Sequence, residues 1–510
     1  MTSDQRIIKC NVDMQQKQDN ATQPPLEDSA QASTSSSTVS SYRVYKRRWY
    51  ILATCSLLNF SNGMLWLTFA AIPNETAEFY HISLQQVDWF SITYFIIGFA
   101  FGFVGIMVID DVGLRFAIIL GAVLNAIGAI LRYLSTLEFV LDYHIQHSGY
   151  WVALIGQVLC ATSQPFVYYS PTKLAAFWFS GKERTFATMC SSMARPLGFA
   201  VLFLISPHIV NSELQSSIPK LLLATAVLAV VGCAMALFGF CSSRPPTPPA
   251  PSAERKTEPV YKGITKILQN KTYLVLLLVF GINVGQFTSQ MLLIPQMLCP
   301  YGYSESLSGL WVASWIFTGL VGAVIVSILA DRTKYFEEIF KMLNAFMVLT
   351  LIWFVLMVRM QDQEVLITIS ICLLGLFAFP QSPAALEMGV EVTYPAPEAT
   401  STGLLWIMAQ LMGFIFTLIA QSLETDLPPH ILSHSQCKIR RSYPNGTHHM
   451  VQAAAPKDFT YSNIFYISIP TIGFVILILF FHPKNHRHQS EKLNTQHCQQ
   501  PEKQTLLSKP

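Results

Sequence analysis

Side-chain amides stand inside long apolar runs of this 510-residue chain, among them Gln157, Gln164, Asn283, Gln286, Gln290, Gln381 and Gln410. An amide in such a run has to face protein, water or a ligand, because leaving it unpartnered in hydrocarbon is costly. The chemistry open to these groups is recognition by hydrogen bonds, with no bond made or broken. The alternative for any one of them is a hydrogen bond between helices, worth about 0.6 kcal/mol on average. Arg195 is the only charge that the sequence puts well inside a run. It stands about ten residues from the end of its segment, and a rise of about 1.5 Å per residue places it near mid-bilayer. An unpaired arginine there costs about 2.5–3.5 kcal/mol. It either pairs with a carboxylate such as Glu387 or recognises an anion, and the sequence leaves both open. Glu387 and Glu391, near the end of their run, suit a gate better than a ligand site.

Covalent chemistry is not indicated. No nucleophile and base form a constellation and no phosphate loop is present. The ten cysteines show no CxxC spacing and lie mostly in apolar runs, so the chain is expected to be no enzyme and to hold no metal or cofactor. A net charge of +3 is too small to suggest nucleic acid as a partner.

The elements that carry these residues follow from composition. The chain is 52% hydrophobic and 12% charged, against about 25% charged in soluble domains, so lipid is its solvent. A bilayer core about 30 Å thick needs about 20 apolar residues of helix. Runs that meet this are Trp49–Ile72, Trp89–Ile109, Phe116–Leu134, Tyr150–Pro171, Thr185–Pro207 and Leu221–Cys241, then Tyr273–Ile294, Ser308–Ala330, Ile339–Val358, Val365–Gly389, Ser401–Ser422 and Tyr461–Phe481. The expected fold class is an all-α membrane protein of twelve transmembrane helices in two six-helix halves. Residues 1–48 read as a disordered polar segment with no apolar core to serve as a cleavable signal, so the first span has to act as the targeting signal. Residues 49–241 and 272–482 form the two halves. Residues 242–271 are a linker with a Pro-rich run, Pro245–Pro251, that cannot be a helix interior, and 483–510 are a disordered tail.

Lysine and arginine next to the spans fix orientation. Arg43, Lys46, Arg47 and Arg48, then Arg115, Lys182 and Arg184, then Arg255, Lys256, Lys262, Lys266 and Lys271, then Arg332, Lys334 and Lys341 all fall on one side. That side, with both termini, is expected to be cytoplasmic. On the opposite side lie Cys299 and Cys437, the only cysteines expected in extracellular loops, where disulfides persist. Spans seven and eleven share a half, so a Cys299–Cys437 bridge is expected, with Asn445, in an Asn-Gly-Thr sequon, glycosylated beside it.

The halves repeat faintly: Ser170-Pro171 closes the fourth span and Ser382-Pro383 the tenth, as in secondary transporters built from repeats around a midplane cavity. Asp110, Gly113 and Arg115 resemble the signature turn of the major facilitator superfamily in spacing, and Asp331-Arg332 stands in the matching loop of the second half. These five are the expected gating residues, together with Glu387 and Glu391.

Longer runs resemble solute carrier family 49, the feline leukaemia virus subgroup C receptor family, from about Tyr45 to Pro483. They include Glu391-Val392-Thr393-Tyr394-Pro395 with Thr400-Ser401-Thr402-Gly403, Asn62 with Trp66, Gly156-Gln157 with Gln164, and Gly281-Ile282-Asn283-Val284-Gly285. The resemblance implies a facilitative carrier of a small organic solute, of the organic-cation, vitamer or porphyrin class. In choline-handling relatives an aromatic cage holds the quaternary ammonium. Trp66, Gln164 and Gln410 match cage and cavity positions, while Thr288, which has no ring, stands where those relatives have a tyrosine. The expected substrate cavity is thus lined by Trp66, Gln164, Asn283, Gln286, Thr288, Gln410 and Arg195. The expected partners are a small-molecule substrate and the lipid bilayer, with the chain monomeric. A surface receptor or substrate sensor that keeps the fold without transport is the alternative. Plasma membrane is the expected site, with endolysosomal membrane as the alternative because Glu502–Leu507 resembles an acidic dileucine signal.

Overall fold

The computed structural model describes residues 45–137, 148–179, 183–210, 214–240, 242–247, 260–333, 335–360, 363–393, 398–427, 438–442, 448–452 and 457–481. The two tails expected to be disordered lie outside these residues, apart from the start of the first helix. Twelve long segments cross the bundle. Spans one to six are Arg47–Leu67, Leu84–Met107, Leu114–Leu134, Ser148–Tyr168 continued by Ser170–Trp178, Arg184–Ile209 and Leu214–Gly239. Spans seven to twelve are Lys271–Leu298, Glu305–Thr333, Phe336–Val358, Glu364–Ala378 continued by Gln381–Thr393, Glu398–Ser422 and Thr460–Phe480. The end of the bundle where span one starts is the near end and the opposite one the far end.

Among the described residues, ten of these spans are long and apolar enough to cross a membrane. Spans one and four fall short. Span one carries Asn59, Ser61 and Asn62, and span four Gln157, Ser163 and Gln164, all of them buried. Hydropathy is lost where polar side chains are turned into the protein.

Local chemistry sets the ends and breaks. Span two starts in a capping box: the Ser83 hydroxyl accepts from the Gln86 N–H while the Gln86 side chain accepts from the Ser83 N–H. Span seven starts at Asn270, whose side chain accepts from the N–H groups of Thr272 and Tyr273. Span four breaks before Pro171, which has no N–H to give to the Val167 carbonyl one turn earlier. That carbonyl instead accepts from Asn59 Nδ2 at 3.3 Å and Ser170 Oγ at 2.8 Å. Span ten breaks at Phe379 and Pro380, so the repeated Ser-Pro pairs mark matching interruptions in the two halves.

The same symmetry appears in the packing. Asn62 Nδ2 donates to Asn125 Oδ1 (2.9 Å) and to the Cys160 carbonyl (3.0 Å), tying spans one, three and four. Asn283 Nδ2 donates to Asn344 Oδ1 (2.6 Å) and Gln381 Oε1 (2.8 Å), tying spans seven, nine and ten. These are corresponding spans in a six-plus-six repeat. The signal was in the sequence, as Leu124-Asn125-Ala126 and Leu343-Asn344-Ala345.

Two short helices depart from the sequence reading. Pro73–Tyr80 follows span one at the far end and stops at His81, which is left-handed (φ 53°). Val260–Leu268 lies inside the segment expected to be a plain linker. Helix resumes there once the prolines are passed, because Ile264 and Ile267 recur on one face and pack against the second half. At the far end, strands β1 (Thr425–Asp426) and β4 (Lys457–Asp458) pair antiparallel and draw together the roots of the long loop. Within that loop β2 (Lys438–Ser442) pairs with β3 (His448–Gln452).

Candidate functional site

Midway along the first half, spans one, two, four and five converge on Arg195. Its side chain is buried, with 2% exposed. Nη1 donates to Asn62 Oδ1 at 2.7 Å, while Nη2 is buried with no hydrogen-bond partner. The guanidinium carbon lies 5.1 Å from the Trp66 ring centroid, 4.6 Å from that of Tyr168 and 5.7 Å from that of Phe199. Trp66 is fixed from its other sides: Nε1 donates to the Ser91 carbonyl at 3.1 Å, and the ring stacks on Tyr94 at 5.8 Å and meets Phe95 edge-on at 5.3 Å. The aromatic box thus holds the protein's own cation.

Next to the box, Gln164 is fully buried and neither its Nε2 nor its Oε1 has a partner. Gly98 on span two locates it. A Cβ added there would stand 3.5 Å from Gln164 Oε1 and 3.1 Å from Gln410 Cδ. Gln164 of the first half and Gln410 of the second therefore meet at one point on span two. A turn further on, at Gly102, a Cβ would stand 2.5 Å from Ile407 Cγ1 of span eleven and 3.4 Å from the Tyr169 hydroxyl, which is also buried and unpartnered. The Tyr168 ring lies 4.6 Å from that of Trp406 across the seam between the halves. The structure thus brings Trp66, Gln164, Gln410 and Arg195 into one buried cluster at the seam. Sequence reasoning missed Tyr168, Tyr169 and Phe199, since tyrosine and phenylalanine in a span carry no signal of their own.

The remaining cavity candidates belong to the second half. Asn283 is engaged in the triad with Asn344 and Gln381. Gln286 Nε2 donates to Gln290 Oε1 at 2.6 Å, leaving Gln290 Nε2 unpartnered. Thr288 returns its hydroxyl to the Val284 carbonyl of its own helix.

One correction concerns charge. Arg195 is not the only charge buried within a span. Arg132, near the far end of span three, is fully buried, stands over the Phe69 ring at 4.6 Å and donates from Nη1 to the Leu65 carbonyl at 2.8 Å. With Gln157, which donates to the Leu65 and Trp66 carbonyls, it caps the last turn of span one, where helix carbonyls lack partners. Asp88 is buried at the start of span two and accepts from Gln296 Nε2 of span seven and Gln421 Nε2 of span eleven, each at 2.7 Å. It therefore joins the far ends of the two halves. Glu387, offered from the sequence as a partner of Arg195, has its side chain outside the described residues. Among the described residues no carboxylate pairs with Arg195.

At the near end, Asp110 pairs with Lys173 Nζ at 2.7 Å with both side chains mostly buried, and Lys173 also donates to the Ile109 carbonyl. Span two thereby grips the second piece of span four. Gly113 takes φ 123°, where a side chain would be strained. The Arg115 N–H donates to Ser243 Oγ, while its side chain is exposed. Asp331 and Arg332 close span eight with side chains outside the described residues, and Glu391 is half-buried near the end of span ten. Cys299 is disulfide-bonded. Cys437 and Asn445 lie outside the described residues.

A twelve-helix bundle with matched halves and a buried polar cluster at their seam is the build of a secondary transporter. The chain belongs to the major facilitator superfamily, whose family profile matches residues 51–417, and within it to solute carrier family 49. Solute carrier family 49 member A3 of Xenopus tropicalis is 36% identical over 94% of this chain and 95% of its own length. The choline/ethanolamine transporter FLVCR1 of Felis catus is 29% identical over 75% of this chain and 69% of its own length. Among solved structures, the D-xylose-proton symporter superposes with a TM-score of 0.61 at 12% identity, covering 86% of this chain and 98% of that one, which shows the fold alone. The family resemblance read from the motifs of spans one, four, seven and eleven is thereby confirmed.

Proposed function

We propose that this transporter is a facilitative carrier of a small organic solute, of the organic-cation, vitamer or porphyrin class, working by alternating access. The observation that carries the reading is Gln164: a fully buried amide with no partner for either of its polar atoms, facing Gln410 of the other half. A group so placed loses the free energy of its hydrogen bonds unless a ligand supplies them. Its position at the seam suits a site reached from alternate sides as the halves rock. The relatives that are choline and ethanolamine transporters support the small organic class.

The near end, with Arg47, Arg48, Lys173 and Lys271, is the cytoplasmic side in this reading, and both termini lie there. Purified protein in proteoliposomes should equilibrate a labelled solute that also raises its melting temperature. A solute that binds without crossing would instead assign the chain to the receptor or sensor class. Residence in the plasma membrane, against the endolysosomal alternative, is tested by imaging the protein with and without Leu506 and Leu507.

A further inference from the structure

We propose that the substrate carries an oxyanion, a carboxylate or a phosphate, and that Arg195 is the residue that binds it. The inference deepens the carrier reading and rests on it for the word substrate, though not for the binding site itself.

The Trp66 face that would receive a substrate cation is already occupied. Arg195 stands over Trp66, Tyr168 and Phe199 at 5.1, 4.6 and 5.7 Å. The guanidinium stays charged at any physiological pH, so a second cation brought to this box meets a like charge a few ångströms away in a medium that screens poorly. The rings lessen the cost of burying Arg195, but they bring no countercharge. Its one hydrogen bond, to Asn62 Oδ1, is to a neutral acceptor. Among the described residues no aspartate or glutamate pairs with it, and Nη2 has no partner at all.

A strut would look different. Arg132, the other buried arginine of this half among the described residues, also leaves Nε and Nη2 unpartnered, but its Nη1 turns to a backbone carbonyl at a helix end, where a cation is useful without a ligand. Arg195 has no such task. The unused groups beside it are suited to an oxyanion and its carrier: Nη2 of Arg195 and the Tyr169 hydroxyl are free donors, and Gln164 offers both a donor and an acceptor. The arrangement describes an organic anion or zwitterion whose acidic group reaches Arg195 while its neutral body lies toward Gln164 and Gln410.

Matched solutes that differ in charge decide the matter. Purified full-length protein is melted with choline, betaine and phosphocholine, with pyridoxine and pyridoxal 5′-phosphate, and with a panel of mono- and dicarboxylates and phosphate monoesters. Stabilisation is expected only from members bearing a carboxylate or phosphate. In Arg195→Gln the affinity of such a member should fall about ten- to a hundredfold, the loss expected when a charge-assisted hydrogen bond is removed. Arg195→Lys should fall in between. The ligand-free Tm of Arg195→Gln should stay level or rise, because an unpaired charge has been removed.

Stabilisation by cationic or neutral members alone, silence of every oxyanion member, or oxyanion binding unchanged in Arg195→Gln would each overturn the proposal. So would a fall in ligand-free Tm in both Arg195 variants with ligand affinity unaltered, since that marks a structural arginine. An oxyanion that binds through Arg195 but does not cross proteoliposomes would leave the site standing and remove the carrier reading.

Discussion

At the scale of single residues, the site is built from polar atoms without partners, and that makes an unusual mutational signature. Removing one member of a satisfied buried hydrogen bond destabilises, whereas removing a group that had no partner relieves a cost. Gln164→Leu is therefore expected to keep or raise the Tm while lowering flux more than tenfold, an estimate taken from the loss of two hydrogen bonds. A variant that melts lower would make Gln164 a structural amide. Trp66 behaves in the opposite way because it packs on four sides. Trp66→Ala should lose about 3 kcal/mol of stability and most flux, while Trp66→Phe keeps a ring for Arg195 and loses only the bond to the Ser91 carbonyl. Equal loss in both, at equal surface expression, would show that size and not the ring face matters. Arg195, Gln164 and Gln410 were legible because a polar side chain stands out against an apolar run. Tyr168 and Phe199 were not, since aromatic residues are ordinary in a span and only the fold turns these two toward a guanidinium.

At the scale of elements, interruptions set which pieces of the bundle are held together. Span four is broken before Pro171, and its second piece is held to span two by the Asp110–Lys173 pair. Breaking a buried pair from one side costs more than removing both charges. Asp110→Ala and Lys173→Ala should each lower stability by about 3 kcal/mol, and the double variant should be no worse than the worse single. Additive losses would show that the two act separately. Lys173 was in view in the sequence, in the Ser170–Leu174 run, but its partner lies 63 positions away and no periodicity reports that. Val260–Leu268 was hidden for another reason: nine residues of helix are too short to stand out beside spans of more than twenty. At the far end, Cys299 is disulfide-bonded, and we propose Cys437 as its partner. Non-reducing peptide mapping of protein made in a secretory pathway should recover that linked pair together with glycan on Asn445. Recovery of Cys437 as a free thiol would reject the pairing.

At the scale of the whole bundle, the far ends of the two halves are joined by uncharged amide donors on carboxylates. Asp88 of the first half accepts from Gln296 and Gln421 of the second, and Gln85 donates to Glu424 close by. Among the described residues this join between the far ends contains no salt bridge, and parting it would expose a carboxylate and two amides that water satisfies readily. Asp88→Ala should favour the state open at the far end. A cysteine placed at Gln290, fully buried beneath this layer, should then react faster with a membrane-impermeant maleimide than it does with Asp88 intact. Unchanged labelling would show that the halves are held elsewhere. The six-plus-six count and the matching breaks could be read from hydropathy and the repeated Ser-Pro pairs. The contact between spans two and eleven at Gly98 and Gly102 could not, because nothing in the order of residues says which span of one half faces which of the other.

Spans one and four are the least apolar of the twelve, and for span one this reaches back to synthesis. It is made before spans three and four, yet it carries Asn59, Ser61 and Asn62 where each leucine or isoleucine would favour insertion by about 0.3–0.6 kcal/mol. Asn62 finds partners for its amide N–H only after spans three and four exist, in Asn125 and the Cys160 carbonyl, whereas Asn59 can bond the Cys55 carbonyl of its own helix and gains the Val167 carbonyl later. Span one therefore waits. Its commitment to the bilayer depends on chain made later, and truncated nascent chains that end before span three should insert it less completely than longer ones. Glycosylation mapping of a truncation series reads this directly, and Asn62→Leu should remove the dependence on length while dismantling the support of Arg195.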